Sequence, residues 1–383
     1  MKIAFFTDTY YPQPNGVTTS VNHLAQALRQ KGHTVYIFAP KIKGYKDLDP
    51  DVHRIPSIRA LPNLPDSIRI PLPISHKPLL KFFRLDFDLA HAHGNGLFSL
   101  LGLGVARAKK KPYILTFHTQ ISKYSHYFLN GKVLKPKHLN NILLKRFGNI
   151  SDGVMTPSEK MRSELIAAGV KKDIAVIPNF INFQKFKIKN GHFLRKRLHI
   201  PTQTPILLSV GRLGKEKNFE FLLEVFQKVM HVQPDAHLVI VGEGVDFSKL
   251  KKLGQKLNLS QRFHLTGAIL IDDMPKVYAD SDIFVFPSDT ETQGMCVLEA
   301  AASSLPLVVP RDQAYKGLIV NGKNGYTLPL KRDLFVKKIV WLLKNPDLVK
   351  RMGKNSAELV SKNFDPDKIT NKLIRFYQQM IKG

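Results

Sequence analysis

The sequence predicts an α/β protein with two doubly wound lobes, each built on a parallel β-sheet covered by helices. Two observations support this prediction. The chain has 383 residues, about twice the length of a typical domain. Short apolar runs alternate with segments of helical periodicity in the first half, and the same alternation starts again after residue 200. Because ligands bind at the carboxyl ends of parallel strands, we expect both lobes to present their sites to a shared cleft.

The first lobe begins with a β-α-β unit. The apolar run KIAFFT (2–7) predicts a strand, and a loop that contains Gly16 follows it. Apolar residues then recur at helical spacing as far as Gly32, and TVYIFAP (34–40) predicts the next strand. A strand, a glycine loop, a helix and a strand in this order predict parallel strands with a right-handed crossover.

The second lobe repeats this order from PILLSVG (205–211) onward, and a polar, lysine-rich stretch precedes it. We predict a first lobe over 1–182, a linker over 183–202 and a second lobe over 203–362. The last segment, 363–383, predicts a helix that can pack back on the first lobe.

Composition limits the possible partners. The formal net charge of +28 predicts a surface that attracts phosphate groups, whether of nucleic acid, anionic lipid or nucleotide substrates. The single cysteine, Cys296, excludes an intrachain disulfide, indicates a reducing compartment and is interpreted as a small buried side chain. No apolar run reaches the length of about 18 residues that a transmembrane helix needs. The N-terminal stretch is too short and too interrupted by prolines for a signal peptide.

The stretch GRLGKEKN (211–218) predicts an anion site, because it lies between a strand and a helix whose positive end favours anions. The planar guanidinium of Arg212 can donate paired hydrogen bonds, and the ammonium of Lys217 adds a compact positive charge. Together they suit a diphosphate. Two solvated basic side chains are the alternative. The spacing is not that of a Walker loop, and neither lobe has GxGxxG at its first turn, so an ordinary ATPase or dehydrogenase is not indicated.

The stretch DTETQGMCVLEA (289–300) places two carboxylates after one strand, IFVFPS (283–288). Glu291 lies in the loop, and Gly294 can begin a helix that carries Glu299 about 7.5 Å further along its axis. Two acids so placed can address two parts of one extended ligand, since a carboxylate accepts hydrogen bonds from paired sugar or ribose hydroxyls. The alternative is one acid at a helix end and one in solvent.

Metal ligands are not indicated. Asp-x-Asp pairs occur at 86–88 and 280–282, each directly ahead of an apolar run, and are interpreted as residues that lead into strands. His91 and His93 alternate on one predicted strand and do not form a ligand set. We expect neither a metal nor a resident cofactor.

Taken in order, the motifs resemble those of the GT-B retaining glycosyltransferases of glycosyltransferase family 4. They are NGVTTSV, TFHTQ and PSEK in the first half and GRLGKEKN, VGEG, LTG and the spaced glutamates in the second. The longer stretches DTYYPQPNGV, FHTQISKYSHYF and TETQGMCVLEA are most similar to the branch that glucosylates diacylglycerol.

The resemblance implies a role for each motif residue. Glu291 would hold hydroxyls of the donor sugar, Glu299 would hold the donor ribose, and Gly294 belongs to the same donor-binding turn. His118, in TFHTQ, would contact the donor sugar near the reacting carbon.

The resemblance also implies how the leaving group is held. Arg212 and Lys217 would neutralise the diphosphate, and Gly16 would let the backbone approach it. The donor would be a sugar nucleotide, UDP-glucose, and the transfer would retain the anomeric configuration. Since the sequence shows no nucleophilic carboxylate, same-face attack by the acceptor is favoured over a covalent intermediate.

The chain departs from the family pattern in three loops. Phe180 follows Asn179 where a glycine is frequent, Ser304 stands where a glycine is usual, and Gly317 with Leu318 replaces a segment that usually has an acid. We expect these departures to alter local loops rather than the activity.

Two basic amphipathic segments of the first lobe predict contact with an anionic membrane surface, where each Lys or Arg adds about 1 kcal/mol. HKPLLKFFRLDF (76–87) contributes Lys81, Phe82, Phe83 and Arg84. KVLKPKHLNNILLKRF (132–147) contributes Lys135, Lys137, Lys145 and Arg146, beside an apolar stripe of Leu139, Ile142, Leu143 and Phe147. Ordinary surface helices in a basic protein are the alternative.

We therefore expect a peripheral enzyme on the cytoplasmic face of the cell membrane that moves glucose from UDP-glucose to diacylglycerol or a related lipid. A family 4 enzyme acting on a soluble sugar, a polysaccharide or phosphatidylinositol is the alternative. A nucleic-acid-binding module is a remote one, because the basic residues spread over both halves and no nucleic-acid motif occurs.

Overall fold

The computed structural model describes residues 1–13, 15–59, 69–72, 84–118, 136–188 and 192–383. Contacts between residues divide them into two compact units. The first unit is Met1–Phe180 with Pro366–Gly383, and the second is Ile181–Asp365.

The first unit contains, within the described residues, nine strands and four helices ahead of its C-terminal segment. The strands are β1 Lys2–Thr7, β2 Thr34–Pro40, β3 Val52–Ile55, β4 Ser57–Arg59, β5 Arg69–Pro71, β6 Leu89–His93, β7 Tyr113–Thr116, β8 Gly153–Thr156 and β9 Ile174–Val176. The helices are α1 Gly16–Gln30, α2 Leu97–Ala108, α3 Pro136–Ile150 and α4 Glu159–Ala167. Seven of the strands form one sheet in the order β3-β2-β1-β6-β7-β8-β9, and β4 pairs with β5 separately.

The sheet of the first unit is parallel and buried on both faces. Every described pair of neighbouring strands in it runs parallel. Phe6 on β1 stacks on Phe38 on β2 with 4.8 Å between ring centroids, and both rings are almost fully buried. Strands covered on both sides need continuous apolar runs, which is why KIAFFT and TVYIFAP could be recognised in the sequence.

The second unit contains, among its described residues, six strands in one parallel sheet of order β12-β11-β10-β13-β14-β15. The strands are β10 Ile206–Val210, β11 His237–Val241, β12 Phe263–Leu265, β13 Ile283–Val285, β14 Leu307–Pro310 and β15 Gly325–Leu328. The helices are α5 Phe193–Leu198, α6 Phe219–Met230, α7 Phe247–Lys256, α8 Met274–Ala279, α9 Met295–Ala302, α10 Arg332–Leu343 and α11 Pro346–Asn363. The prediction of two doubly wound α/β lobes is confirmed.

Two segments differ from the sequence-based boundaries. The predicted strand IFVFPS ends at Val285, because residues 286–288 already turn into the loop that carries Glu291. The stretch assigned to a linker contains helix α5, and its Arg195 Nε lies 3.1 Å from Asp280 Oδ1. A six-residue helix is too short to give a periodic signal in a lysine-rich sequence.

The chain ends in helix α12, Pro366–Lys382, which belongs to the first unit. The Tyr377 hydroxyl lies 2.6 Å from His91 Nδ1 on β6, and Lys31 Nζ lies 2.6 Å from Asp367 Oδ1. Gly153 on β8 allows this approach, since a Cβ there would stand 2.7 Å from the Met380 sulfur. The C-terminal helix is therefore packed directly against the first sheet.

Replacing Ser304 with glycine is expected to stabilise the protein by about 0.5–1 kcal/mol. Ser304 follows α9 with φ +61°, in the left-handed region that disfavours side chains. The gain is partly offset by the larger entropy of glycine in the unfolded chain. Urea unfolding measures the difference. Ser361→Gly, at a helical position in the last turn of α11, is the control and should destabilise; a loss of stability in Ser304→Gly as well would contradict the expectation.

Candidate active site

Three glycine-containing loops meet at the carboxyl end of the second sheet. Gly242, just after β11, has φ +150°, and a Cβ there would stand 1.9 Å from the carbonyl oxygen of Gly211. Its N–H donates to the carbonyl of Gly267 at 3.0 Å, and the Leu213 N–H donates to the carbonyl of Glu243 at 2.8 Å. The GRLG, VGEG and LTG loops are thus held together by backbone contacts, and at Gly242 the approach to the GRLG loop leaves no room for a side chain.

The loop after β10 carries the two predicted phosphate-binding cations. Residues Lys215–Lys217 form a single 3-10 turn that leads into α6. Arg212 Nη2 donates to Glu216 Oε1 at 2.5 Å, and the carboxylate of Glu216 is buried. The Glu216 backbone carbonyl accepts from Thr290 Oγ1 at 3.0 Å, which connects this loop to the one after β13.

Lys217 and Glu291 form one ion pair. Lys217 Nζ donates to Glu291 Oε1 at 2.5 Å, and the two side chains are only 13% and 12% exposed. The same carboxylate oxygen accepts from Ser288 Oγ at 2.8 Å. The residue predicted for the diphosphate and the residue predicted for the donor sugar are therefore adjacent and electrostatically coupled. A charge-assisted bond of this kind in a mostly buried position fixes both side chains.

Gly294 and Glu299 are placed by the start of α9. Gly294 has φ +83°, and a Cβ there would stand 3.1 Å from the Tyr315 ring, so a turn of this shape requires glycine. Glu299 lies further along α9 and accepts from the Tyr278 hydroxyl at 2.7 Å through Oε2. Desolvation raises the pKa of the Glu299 carboxyl to about 7, and the bond from Tyr278 offsets part of this rise. Cys296, which the sequence suggested to be buried, is half-buried, and desolvation raises the pKa of its thiol, which disfavours the reactive thiolate.

The difference in stability between Glu299→Gln and the native protein is expected to depend on pH. The pKa of Glu299 is about 7 in the folded protein, above its ordinary value of 4.5, so the native fold loses stability as pH rises from about 4.5 through 7. Glutamine keeps an acceptor for Tyr278 and does not ionise. Thermal unfolding at pH 5 and pH 8 tests this. Relative to the native protein, the variant should be more stable at pH 8 than it is at pH 5. An equal stability difference at both pH values would contradict the expectation.

In the first unit, His118 lies directly after β7 and is buried with 9% exposure. Its Nε2 lies 3.1 Å from Nδ1 of His93, at the end of β6. Burial lowers the pKa of His118 to about 4, so the imidazole is neutral at pH 7. Gly16 is exposed and is the first residue of α1, where the Asn15 side chain accepts from the Thr18 N–H at 2.9 Å.

Asp8 is a buried helix-capping residue of the first unit that sequence reasoning missed. It follows β1 and accepts 3.0 Å hydrogen bonds from the backbone N–H groups of Gly96 and Phe98 at the start of α2. Burial raises its pKa to about 6. A Cβ at Gly96 would stand 2.3 Å from the carboxylate. Asp8 therefore caps α2 from a neighbouring strand, a role for which a lone aspartate in sequence gives no signal.

The Asp-x-Asp pairs lead into strands, as the sequence suggested. Asp88 accepts from the Lys2 N–H at 2.8 Å, and Asp282 accepts from the Ile206 N–H at 2.7 Å. Asp280 pairs with Arg195. In the part of the chain that the structure describes, no three His, Cys, Asp or Glu side chains come together as a metal site would require.

Comparison with known proteins shows which family the chain belongs to. A protein-family model described as Glycosyltransferase Family 4 matches residues 14–185, and one described as Glycosyl transferases group 1 matches 192–359. The alpha-monoglucosyldiacylglycerol synthase of Streptococcus pneumoniae R6 is 31% identical over 376 residues, which cover 95% of this chain and 83% of that protein. The chain belongs to glycosyltransferase family 4. This family 4 glycosyltransferase is also 29% identical to the alpha-monoglucosyldiacylglycerol synthase of Acholeplasma laidlawii over 390 residues, with 95% and 93% of the two chains covered.

The fold of the family 4 glycosyltransferase is the GT-B fold. The sucrose-phosphate synthase of Thermosynechococcus elongatus superimposes with a TM-score of 0.78 at 20% identity, over 100% of this chain and 99% of that chain. At this identity the likeness concerns the fold alone.

The predicted membrane segments of the family 4 glycosyltransferase are described only in part. Lys81, Phe82, Phe83 and Lys135 lie outside the described residues, as does the side chain of Lys137. Arg84, Lys145 and Arg146 are exposed. Among the described residues, no helix combines the length and the apolar character needed to cross a bilayer.

The apolar stripe predicted on α3 is divided between two faces. Leu144 is buried, Phe147 packs against the core, and Ile142 is 54% exposed. At 100° per residue, positions 144 and 147 lie 60° apart and share the face that packs on the core. The prediction of one continuous membrane stripe is therefore wrong for Phe147. Among the side chains of α3 that the structure describes, the exposed apolar ones are Ile142 and Ile150, and Lys145 and Arg146 are exposed near them.

Proposed function

We propose that this family 4 glycosyltransferase moves glucose from UDP-glucose to diacylglycerol or a related membrane lipid, with retention of the anomeric configuration. The observation that carries the proposal is the Lys217–Glu291 ion pair beside the turn that presents Glu299, at one strand end. The names of the two synthases reported above, both glucosyl-diacylglycerol enzymes, support the choice of sugar and acceptor.

The second unit supplies the groups that a sugar nucleotide needs. Arg212 and Lys217 provide positive charge for a diphosphate, and Glu291 and Glu299 provide acceptors for hydroxyl groups. Each cation is already paired with a carboxylate, so the loop is ordered before the donor binds and little side-chain entropy is lost on binding.

In the proposed reaction the bond between the anomeric carbon and the diphosphate oxygen breaks, and the acceptor hydroxyl oxygen bonds to the same carbon from the same face. The proton of that hydroxyl passes to the departing diphosphate. The transition state then carries negative charge on the diphosphate, which Lys217 and Arg212 stabilise, and positive charge on the sugar ring. His118 is neutral at pH 7 and therefore adds no repulsive charge to that ring.

Helix α3 supports a lipid acceptor. Its exposed face combines Ile142 and Ile150, which are 54% and 41% exposed, with Lys145 and Arg146. Aliphatic side chains flanked by basic ones favour the interface of an anionic bilayer. Lys145→Gln with Arg146→Gln should weaken flotation with anionic vesicles, and Lys43→Gln with Lys46→Gln, two exposed lysines elsewhere in the first unit, should not.

A donor-by-acceptor matrix tests the proposal. Purified protein is mixed with anionic vesicles that contain diacylglycerol or phosphatidylinositol, or with soluble sugars, and each sugar nucleotide is supplied in turn. Mass spectrometry should detect hexosyl-diacylglycerol, formed from UDP-glucose. A product on phosphatidylinositol or on a soluble sugar, with none on diacylglycerol, would show that the proposed acceptor is wrong and that one of the alternative acceptors is correct.

A further inference from the structure

Three buried histidines form a row in the first unit. His91 and His93 lie two residues apart on β6 and share one face of the sheet, with 4.1 Å between ring centroids. His118 follows β7, the next strand, and its ring stacks on His93 at 5.4 Å with 24° between the planes. All three are less than 10% exposed.

The two histidines of β6 differ in how their nitrogens are used. His91 is bonded at both ends, with Nδ1 2.6 Å from the Tyr377 hydroxyl and Nε2 2.6 Å from Thr116 Oγ1. His93 is bonded at one end, with Nδ1 3.1 Å from His118 Nε2. Its Nε2 is buried and has no hydrogen-bond partner among the described residues. His91 therefore links β7 to α12 through two hydrogen bonds, whereas the hydrogen bond that the structure shows for His93 goes to His118.

The hydrogen bond between His93 and His118 has a defined direction. Burial lowers the pKa of all three imidazoles well below neutrality, so each ring carries one N–H at pH 7. If His118 donated, the proton of His93 would sit on Nε2 as a buried donor without a partner. Orphaned buried N–H groups are rarer than under-satisfied acceptors. His93 Nδ1 therefore donates, and His118 accepts at Nε2 and carries its own proton on Nδ1.

We propose that His93 is a positioning residue that holds the His118 ring in one orientation and in the Nδ1–H tautomer. The consequence for catalysis rests on the proposed function, in which His118 contacts the donor sugar. A ring held by a hydrogen bond and by stacking loses no orientational freedom when the sugar arrives.

Two substitutions separate the hydrogen bond from the bulk of the side chain. His93→Asn keeps an N–H donor close to the position of Nδ1, and His93→Leu removes it at similar volume. Nitrogen-15 NMR of histidine-labelled protein reads the tautomer directly, with the His118 signals identified by their loss in His118→Asn. We expect a protonated Nδ1 and a bare Nε2 on His118 in the native protein and in His93→Asn, and a mixture of tautomers in His93→Leu.

Kinetics provide the second readout. His93→Leu should lower kcat about 10- to 100-fold with little change in donor KM, as loss of an orienting partner typically does, and His93→Asn should recover most of it. UDP affinity should stay the same in both variants, because Arg212, Lys217 and Glu299, the side chains proposed to hold the diphosphate and the ribose, belong to the second unit. His33→Leu, a first-unit histidine bonded to the N-terminal amine, is the control for loss of an imidazole.

Two results would overturn the proposal. One is a native His118 protonated at Nε2, and the other is a His93→Leu variant with native tautomer or native kcat. If the native protein makes no glycolipid from any sugar nucleotide, the proposed function fails, and the NMR comparison still decides whether His93 sets the tautomer of His118.

Discussion

Glu291→Ala is expected to lower kcat about 10²- to 10³-fold while the protein stays folded. The substitution removes the acceptor for the sugar hydroxyls and leaves Lys217 Nζ without the carboxylate that holds it at 2.5 Å. A displaced cation stabilises the departing diphosphate less well, so the loss should appear in kcat as well as in the affinity for the donor. Initial rates of glycolipid formation over a range of donor concentrations measure both.

The matched control for this substitution is Glu220→Ala. Glu220 pairs with Lys249 at the same 2.5 Å, in the same unit, but its side chain is 42% exposed and lies at the start of α6. An exposed pair contributes little to stability, and this one has no proposed contact with the donor. Native rates in Glu291→Ala, or an equal loss in Glu220→Ala, would contradict the proposed role.

Lys217→Met is expected to have an effect of similar or larger size, about 10³-fold in kcat. Methionine keeps an unbranched apolar chain near the Phe286 ring, over which Lys217 Nζ now lies at 5.7 Å, and it removes the charge. Because the diphosphate gains negative charge as it leaves, the lost charge matters most in the transition state. Rates and UDP-glucose affinity, measured separately, distinguish the two contributions.

Lys249→Met is the control, and the double variant provides a further test. Since Lys217 and Glu291 touch, their effects should not add: the Lys217→Met, Glu291→Ala protein should be only slightly slower than the slower single variant. Full additivity would show that the ion pair has no part in the reaction.

The sheets and the loops after their strands could be predicted from sequence for a physical reason. Parallel strands buried on both faces need apolar runs, and glycine is required where backbones approach closely, as at Gly242, or where φ is positive, as at Gly294. These constraints are local, so GRLGKEKN and DTETQGMCVLEA could be assigned to strand ends before their surroundings were known.

The contacts that complete the site could not be predicted, because they join residues far apart in the chain. Glu291 follows Lys217 by 74 residues, and Tyr278, which donates to Glu299, has the sequence context of an ordinary buried aromatic. The bond between His93 and His118 depends on the register of β6 against β7. The sequence also could not separate the two faces of α3, and Phe147, which packs against the core, was assigned to the membrane face. Apolar side chains at helical spacing have the same pattern whether they face a core or a membrane.

The measurement to make first is proton NMR of the glycolipid formed from UDP-glucose and diacylglycerol by the purified protein in anionic vesicles. The anomeric signal reports the sugar, its attachment to the lipid and its configuration in one spectrum. We predict a single α-glucosyl-diacylglycerol, with the configuration of the donor retained. A β-linked product, or no lipid product while the donor is consumed on another acceptor, would contradict retaining transfer to diacylglycerol.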